Sequence, residues 1–322
     1  MTQTTKNKIA QNSISLSTKD WKDLAVEMAT TTNLSWRKIA KSLQVSKSTV
    51  SDYLRKELKE FHKYKDQSKK SLLFIDIETA PLISHMWSLW QNGFGLNQLQ
   101  EDWYILSFTA KWSDSEEIIY YDQRNAENKE DDKKLLQKIW NLLDKADFVV
   151  GHNIRKFDTK KINARFILNG MTKPATFRQI DTLEMAKANF AFTSNKLEYL
   201  TDKLCTKYKK SKHKKFHGHT LWSECLKNNP EAWEEMREYN VMDVLSNQEL
   251  FEILLPWDNR LPNFDLYTDE VIDLSEWEPN GYHYTNLAKY TRYRHRVTGQ
   301  QRRGRVNLLS KEKRQSLLAN IA

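Results

Sequence analysis

The stretch Leu72-Leu73-Phe74-Ile75-Asp76-Ile77-Glu78-Thr79 constrains this chain more than any other. Its apolar run, bounded by polar sequence, predicts a buried strand. Side chains alternate along a strand, so Asp76 and Glu78 point the same way. Two carboxylates together in a sheet interior need a partner, because an unpaired buried charge is costly. A pair of divalent cations is one such partner, and hard carboxylate oxygens suit Mg²⁺ or Mn²⁺. A solvated strand end is the plain alternative, since short acidic triplets match by accident.

The chain around this strand has 322 residues, enough for one large domain with attachments or two medium ones. Lys and Arg total 51 against 42 Asp and Glu, a net charge of +9, which favours a polyanionic partner. The only cysteines, Cys205 and Cys225, have no paired spacing. They argue against a disulfide framework or a thiolate zinc site and suggest a reducing compartment. No long apolar run occurs, so neither a membrane span nor a signal peptide is expected, and the location expected is the cytoplasm (of a host cell, if the source is viral).

Residues 1–15 are polar and read as a disordered tail. An apolar-periodic segment follows around Trp21, Leu24, Ala25 and Met28. Ser35 to Leu43 then reads as a short helix with Ser35 as N-cap, Gln44-Val45-Ser46 as a turn, and Lys47 to Lys59 as a second helix. The stretch SWRKIAKSLQVSKSTVSDYLRK resembles a helix-turn-helix of the homeodomain-like or resolvase-like kind, with Ala40, Val45, Val50 and Leu54 as its apolar positions. The resemblance implies that Lys47, Ser48, Thr49 and Ser51 begin a recognition helix that contacts DNA. A helical hairpin that binds protein or pads a core is the alternative. Residues 1–72 carry 15 Lys and Arg against 7 Asp and Glu, which fits a DNA partner. The domain is placed at 16–60 and a basic linker at 61–71.

Beyond the first strand, 80–102 is a long aromatic excursion with Trp87, Trp90 and Phe94. Trp103 to Trp112 and Glu116 to Tyr121 read as a strand hairpin. Asp131 to Asp147 reads as an amphipathic helix with Leu135, Ile139, Leu142 and Leu143 as its stripe. Phe148 to Asn153 reads as another buried strand, and Asp158 sits near the start of the helix that follows, where a carboxylate also suits the helix dipole. Asp181, at a further strand-helix junction, reads as a cap or supporting residue. The run 203–219 is basic, with Lys209, Lys210, Lys212, Lys214 and Lys215 expected to clamp a phosphate backbone, unless it is simply a solvated loop. Pro230 opens a long helix to about Leu255, placing Tyr239 and Asp243 on one face.

The order of these pieces is FIDIET on a strand, GHNIRKFD at a strand-helix turn and YNVMD on a late helix. Together they resemble the DnaQ-like 3′–5′ exonuclease superfamily, in its tyrosine-bearing DEDDy branch, over residues 72–256. The resemblance implies an α/β, ribonuclease H-like fold, a mixed sheet flanked by helices, beside a small all-α N-terminal domain. It implies metal-dependent hydrolysis of DNA phosphodiester bonds from the 3′ end by a two-metal mechanism, releasing nucleoside 5′-monophosphates. Asp76, Glu78, Asp158 and Asp243 are the implied ligands of two Mg²⁺ or Mn²⁺ ions, with Asp76 bridging. Tyr239 is implied to orient the attacking water, Asn153 and Phe157 to shape the pocket, and the Ile77 backbone to wedge the terminal nucleotide. A ribonuclease on the same fold, or a non-catalytic DNA-binding regulator on an exonuclease-like scaffold, are the alternatives.

Residues 257–279 form an acidic linker or strap. From Asn280 the charge inverts, with ten Lys or Arg against Glu312 alone. Aromatics interleave with Arg292, Arg294 and Arg296, and Arg302, Arg303 and Arg305 follow, a composition suited to nucleic acid. The segment KYTRYRHRVTGQQRRGR resembles the second knuckle of a zinc-ribbon tail on phage-type exonucleases, and this points to a phage or mobile-element source. Its cysteines are missing, and His283 and His295 alone cannot close a tetrahedral site, so no zinc is expected. The 280–322 tail is expected to be a degenerate metal-free ribbon, to be ordered by DNA, or to be a solvated basic tail.

Overall fold

The computed structural model describes residues 20–31, 35–61, 71–88, 90, 93–209, 215–268 and 271–318. The N-terminal tail at 1–15, most of the basic linker, and Lys210, Lys212 and Lys214 lie outside them. The chain divides into two compact units, 1–67 and 68–322.

The first unit is helical: α1 (Trp21–Thr31), α2 (Trp36–Ser42) and α3 (Lys47–Phe61). Ala25, Ile39, Ala40, Val50 and Leu54 form its core, with Trp21, Trp36 and Val45 packed around them. Ile39, Val50 and Leu54, fully buried, each contribute about 1.5–3 kcal/mol. The chain leaves α2 through Gln44, whose φ of 55° lets Val45 N–H reach the Ala40 carbonyl at 3.1 Å. Ser35 occupies the N-cap of α2 but its side chain makes no capping bond, and the Ser35 carbonyl takes the first helical N–H groups instead. Ser46 caps α3, its Oγ accepting from Thr49 N at 3.1 Å.

The second unit is built on a five-stranded mixed sheet in the order β5-β4-β1-β6-β7. β1 (Leu72–Thr79) lies at its centre, antiparallel to β4 (Ile105–Trp112) and parallel to β6 (Phe148–Gly151). Between β1 and β4, the aromatic excursion forms a small hairpin, β2 (Ile83–Ser84) with β3 (Leu99–Glu101). β5 (Ile119–Asp122) pairs antiparallel with β4, and β7 (Arg178–Asp181) parallel with β6. Helices cover both faces, so β1 is apolar on both. Leu73, Ile75 and Ile77 pack beneath α4 (Lys133–Lys145) and α5 (Asp158–Leu168). Leu72 and Phe74 pack beneath α6 (Thr182–Asn189), α7 (Leu197–Leu204) and α9 (Pro230–Leu254). A third cluster joins α8 (Thr220–Leu226) and the first turns of α9 to Ala80, Tyr104 and Leu106. Asn229 starts α9 by accepting from Glu231 N, with Pro230 following it. Both cysteines are buried free thiols, and burial pushes each up to about 12.

The acidic segment after α9 lies as a strap on the sheet. Phe264 is buried, and the rings of Phe264 and Tyr267 stand 4.8 and 4.6 Å from Phe148. The chain then forms a second sheet, β8 (Trp277–Thr285), β9 (Ala288–His295) and β10 (Gln301–Arg303), antiparallel throughout, followed by α10 (Lys311–Ser316). His295 Nε2 donates to Glu276 at 3.1 Å, while its Nδ1 accepts from the N–H groups of Val297 and Thr298. His295 is paired with Trp277 and His283 with Tyr290, so the two histidines lie on opposite faces of the sheet.

Candidate active site

The carboxylates of β1 gather near the end of that strand, past the point where β6 leaves it. The β1–β6 ladder ends at Phe74↔Val150. Further on, Asp158 Oδ1 takes the Ile77 N–H at 3.2 Å, standing where a neighbouring strand would offer a carbonyl. Asp158 is the first residue of α5 and is 2 % exposed. Burial pushes its carboxyl up to about 7; the Ile77 N–H opposes that, while the charges of Asp181 and Asp243 add to it.

α9 closes the site from above the sheet. Its Asp243 is buried, and carboxylate oxygens of Asp76, Glu78 and Asp243 lie within 4.8 Å of one another. Tyr239 stands one helical turn before Asp243, on the same face. The donors are all hard oxygens, two from β1 and one from α9, brought together from distant parts of the chain. That donor set fits a divalent cation of the Mg²⁺ or Mn²⁺ class and not a thiolate-seeking metal.

Two residues that motif reading passes over hold these acids in place. Asn240 is fully buried; its Nδ2 donates to Asp76 Oδ2 at 2.6 Å, and its Oδ1 accepts from Thr109 Oγ1 at 2.9 Å. Thr109 lies directly across from Asp76 in the β1–β4 register. Trp222, on α8, donates its indole N–H to Glu78 Oε2 at 3.1 Å. The same indole meets the Tyr239 ring edge-on, with centroids 6.0 Å apart. The Asn240 amide sits inside the YNVMD motif, whereas nothing near Trp222 in sequence marks it.

The turn after β6 is stitched by Asp181, the N-cap of α6, as its position suggests. Asp181 accepts from Asn153 N at 2.9 Å, Arg155 N at 3.3 Å and Leu183 N at 3.0 Å. Asn153 itself has φ 66°, a left-handed conformation that asparagine tolerates. Phe157 precedes α5 and is 39 % exposed. Lys161, one turn after Asp158, places its ammonium 3.6 Å from the Trp103 ring and 5.8 Å from that of Phe157. An exposed aromatic ring and a cation thus border the acids.

The remaining sequence-derived positions are scattered. Lys47, Ser48 and Thr49 are exposed at the start of α3, where Ser46 Oγ engages both neighbouring hydroxyls. Ser51 is corrected: it is 8 % exposed and faces the helical core, not a surface that meets DNA. The buried stripe of α3 takes in Ser51 beside Val50 and Leu54. Lys209 lies 3.5 Å from Asp202, and Lys215 contacts Glu231, so both carry acidic partners at the surface. Arg302 contacts Asp265 and Arg296 lies 3.9 Å from Glu278, while Arg292, Arg294 and Arg303 line one face of the second sheet. Arg305 is exposed just beyond it.

No curated protein sequence matches the chain. Among solved structures, a family B DNA polymerase from the hyperthermophilic archaeon Pyrobaculum calidifontis is similar at 15 % identity and a TM-score of 0.42. The match covers 58 % of this chain and 25 % of the polymerase, so the chain spans about a quarter of that protein's length. The model of the RNase H superfamily matches residues 73–255, which hold nearly all of β1 and the whole of β4, β6, α5 and α9, with Asp76, Glu78, Asp158 and Asp243. By that match, the chain belongs to the RNase H superfamily.

Proposed function

We propose that this chain is a metal-dependent 3′–5′ exonuclease that hydrolyses DNA phosphodiester bonds and releases nucleoside 5′-monophosphates. The observation that carries this reading is the convergence of Asp76, Glu78 and Asp243 within 4.8 Å, with Tyr239 a turn away and Asp158 beside them. Among these, Asp76, Glu78, Asp158 and Asp243 would hold two divalent ions, Mg²⁺ or Mn²⁺. Such ions supply Lewis acidity and neutralise charge on the phosphate oxygens. The 3′–5′ direction rests on the resemblance of the three motifs to the DEDDy exonucleases. DNA as substrate rests on the helix-turn-helix reading of residues 16–60, since such helices read B-form grooves.

The chain's own residues divide the remaining tasks. Asn240 and Trp222 fix the rotamers of Asp76 and Glu78, which keeps donors from collapsing onto other partners. Tyr239 shares a hydrogen bond with the attacking water through its hydroxyl and orients it. Water attacks the phosphorus of the terminal nucleotide; the bond to the 3′-oxygen of the preceding nucleotide breaks, and that oxygen leaves with a proton from solvent. Phe157 offers a ring on which the terminal base can stack.

The test is end-labelled single-stranded DNA, matched duplex and RNA, each incubated with Mg²⁺, Mn²⁺ or chelator, beside Asp76→Ala. A metal-dependent ladder that shortens from the 3′ end and vanishes in the variant is expected. Shortening from the 5′ end, or RNA cleaved in preference to DNA, overturns direction or substrate. Cleavage that survives chelator and Asp76→Ala overturns the site.

A further inference from the structure

We propose that one face of the C-terminal sheet is a docking surface for the phosphate backbone of a nucleic-acid strand, with Arg292, Arg294 and Arg303 as its cations. The register puts these residues together. Arg303 pairs with Arg292 and Gln301 with Arg294, so all four side chains rise from the same face of β9 and β10. Tyr290 and His283 continue that face toward the β8–β9 turn.

What distinguishes these arginines is how the fold treats them. The acidic strap supplies carboxylates within a few residues of this sheet, and they are used on other arginines: Asp265 meets Arg302, Glu278 lies 3.9 Å from Arg296, and Asp258 holds Arg260 at 2.7 Å. Among the described residues, Arg292, Arg294 and Arg303 take part in no ion pair. Among the described residues of the three strands, the one carboxylate on their face, Glu278, lies 3.9 Å from Arg296. Arg292 and Arg303 are nonetheless held in place. Arg292 Nε donates to the Asn280 carbonyl at 2.6 Å, and its Nη2 lies over Gly281, where a Cβ would stand 3.4 Å away. Arg294 lies over Gly299 in the same manner, at 3.8 Å. Both glycines have φ near 70°, at 72° and 71°, which a side chain would strain. Arg303 lies 4.3 Å above the Tyr290 ring.

Ordered guanidinium forks without carboxylates are donors set out for an external anion, and Arg suits phosphate better than Lys does. Three cations spread along strands suit a repeated anion more than a single one. The choice of nucleic acid over another polyanion rests on the proposed nuclease function.

The experiment uses the full chain in chelator, so that binding is read without hydrolysis. Anisotropy of a labelled single strand and of the matched duplex is followed against salt, for wild type and for Arg292→Gln/Arg294→Gln/Arg303→Gln. Losing three phosphate contacts is expected to flatten the slope of log K against log salt by about 2, at roughly 0.7 per contact on a single strand, and to weaken binding about 50-fold at physiological salt. The triple Lys variant keeps the slope, since it keeps the charge. Lys311→Gln/Lys313→Gln/Arg314→Gln removes as much charge from α10 and leaves the slope within about one contact's worth of wild type. An unchanged slope in the first variant on both probes, or an equal loss in the α10 variant, overturns the proposal. Hydrolysis of a small chromogenic phosphodiester reports the acid cluster separately: its absence in wild type counts against the exonuclease reading, and its loss only in the sheet variant counts against a docking role.

Discussion

Two groups of acids around the five-stranded sheet show how the same side chain serves opposite ends. Asp132, at the head of α4, is fully buried, yet its charge is answered by the protein. Its oxygens accept from Ile105 N at 3.0 Å and from Arg165 Nε and Nη2 at 2.8 Å each. At the other group, Asp76, Glu78 and Asp243 converge on one another, and Asp158 is pushed toward its neutral form. A carboxylate closed by a bidentate guanidinium and a strand N–H is a clamp, here tying β4, α4 and α5 together. Carboxylates brought within 4.8 Å of each other repel, and a divalent cation held among them would relieve that repulsion.

That contrast is broken most directly by exchanging the outcomes. Asp76→Asn should lower the hydrolysis rate at least ~10³-fold, since removing charge at such a centre forfeits several kcal/mol of transition-state stabilisation. It should leave the melting temperature of chelator-treated protein unchanged or higher, because a repulsion is removed. Asp132→Ala should do the reverse. It strands the Arg165 charge, so unfolding in urea should show a loss of about 3–5 kcal/mol. Asp132→Ala protein still folded at low temperature should keep its rate on short substrates within about threefold, since the clamp touches no reacting group. A large stability loss from Asp76→Asn would place the Asp76 cluster with Asp132 as a structural clamp.

Asn240→Ala and Trp222→Phe sharpen the same comparison at smaller scale. Each removes one hydrogen bond to a cluster carboxylate while keeping the acids. Supporting residues of this kind are typically worth about 10–100-fold in metal affinity or rate. The expected outcome is a higher Mn²⁺ concentration for half-maximal binding, read by water-proton relaxation without substrate, and a matching fall in rate. No change in either measurement would reduce Asn240 and Trp222 to packing.

The uneven legibility of the chain has the same physical root. β1, β6, α4 and α9 are readable because burial imposes a local period, apolar runs of strand length or a stripe at helical spacing. The acids were readable because three short patterns fall on elements whose order brings them together. Asn240 and Trp222 were not: their partners lie 164 and 144 residues away, and only the folded sheet joins them. The second sheet had no signal in its own hydropathy pattern, and only the ribbon resemblance suggested ordered structure there. β8 to β10 carry aromatics and cations on both faces, so no apolar alternation marks a core side. Its packing is local ring and arginine contact, such as Arg302 5.1 Å from the Trp277 ring. Ser51 was misassigned for a third reason, that a small polar residue at the edge of a buried helical stripe looks the same in sequence whichever way it faces.

Glu249 gives the smallest effect and the finest test of what answering a carboxylate is worth. It lies on α9, two turns beyond Asp243, and gathers backbone N–H groups from the segment after α7: Thr206 at 2.7 Å, Lys207 at 3.1 Å and Tyr208 at 2.7 Å. Burial raises its carboxyl, but these N–H bonds outweigh burial and hold it below the ordinary value of 4.5. A depressed folded pKa means that the unfolded chain binds more protons, so stability rises with pH across this range. Glu249→Gln keeps the shape and loses the charge. It should cost about 1 kcal/mol at neutral pH, a modest figure because the group is partly in water. The difference between wild type and variant should be complete above about pH 5 and shrink as pH falls through the folded value, below 4.5. Urea unfolding of both proteins at pH 7 and pH 3.5 reads it. A gap that persists undiminished at the acid end would show that the amide shape, and not the charge, holds residues 206–208, and the comparison between the Asp132 clamp and the Asp76 cluster would then not extend to the surface.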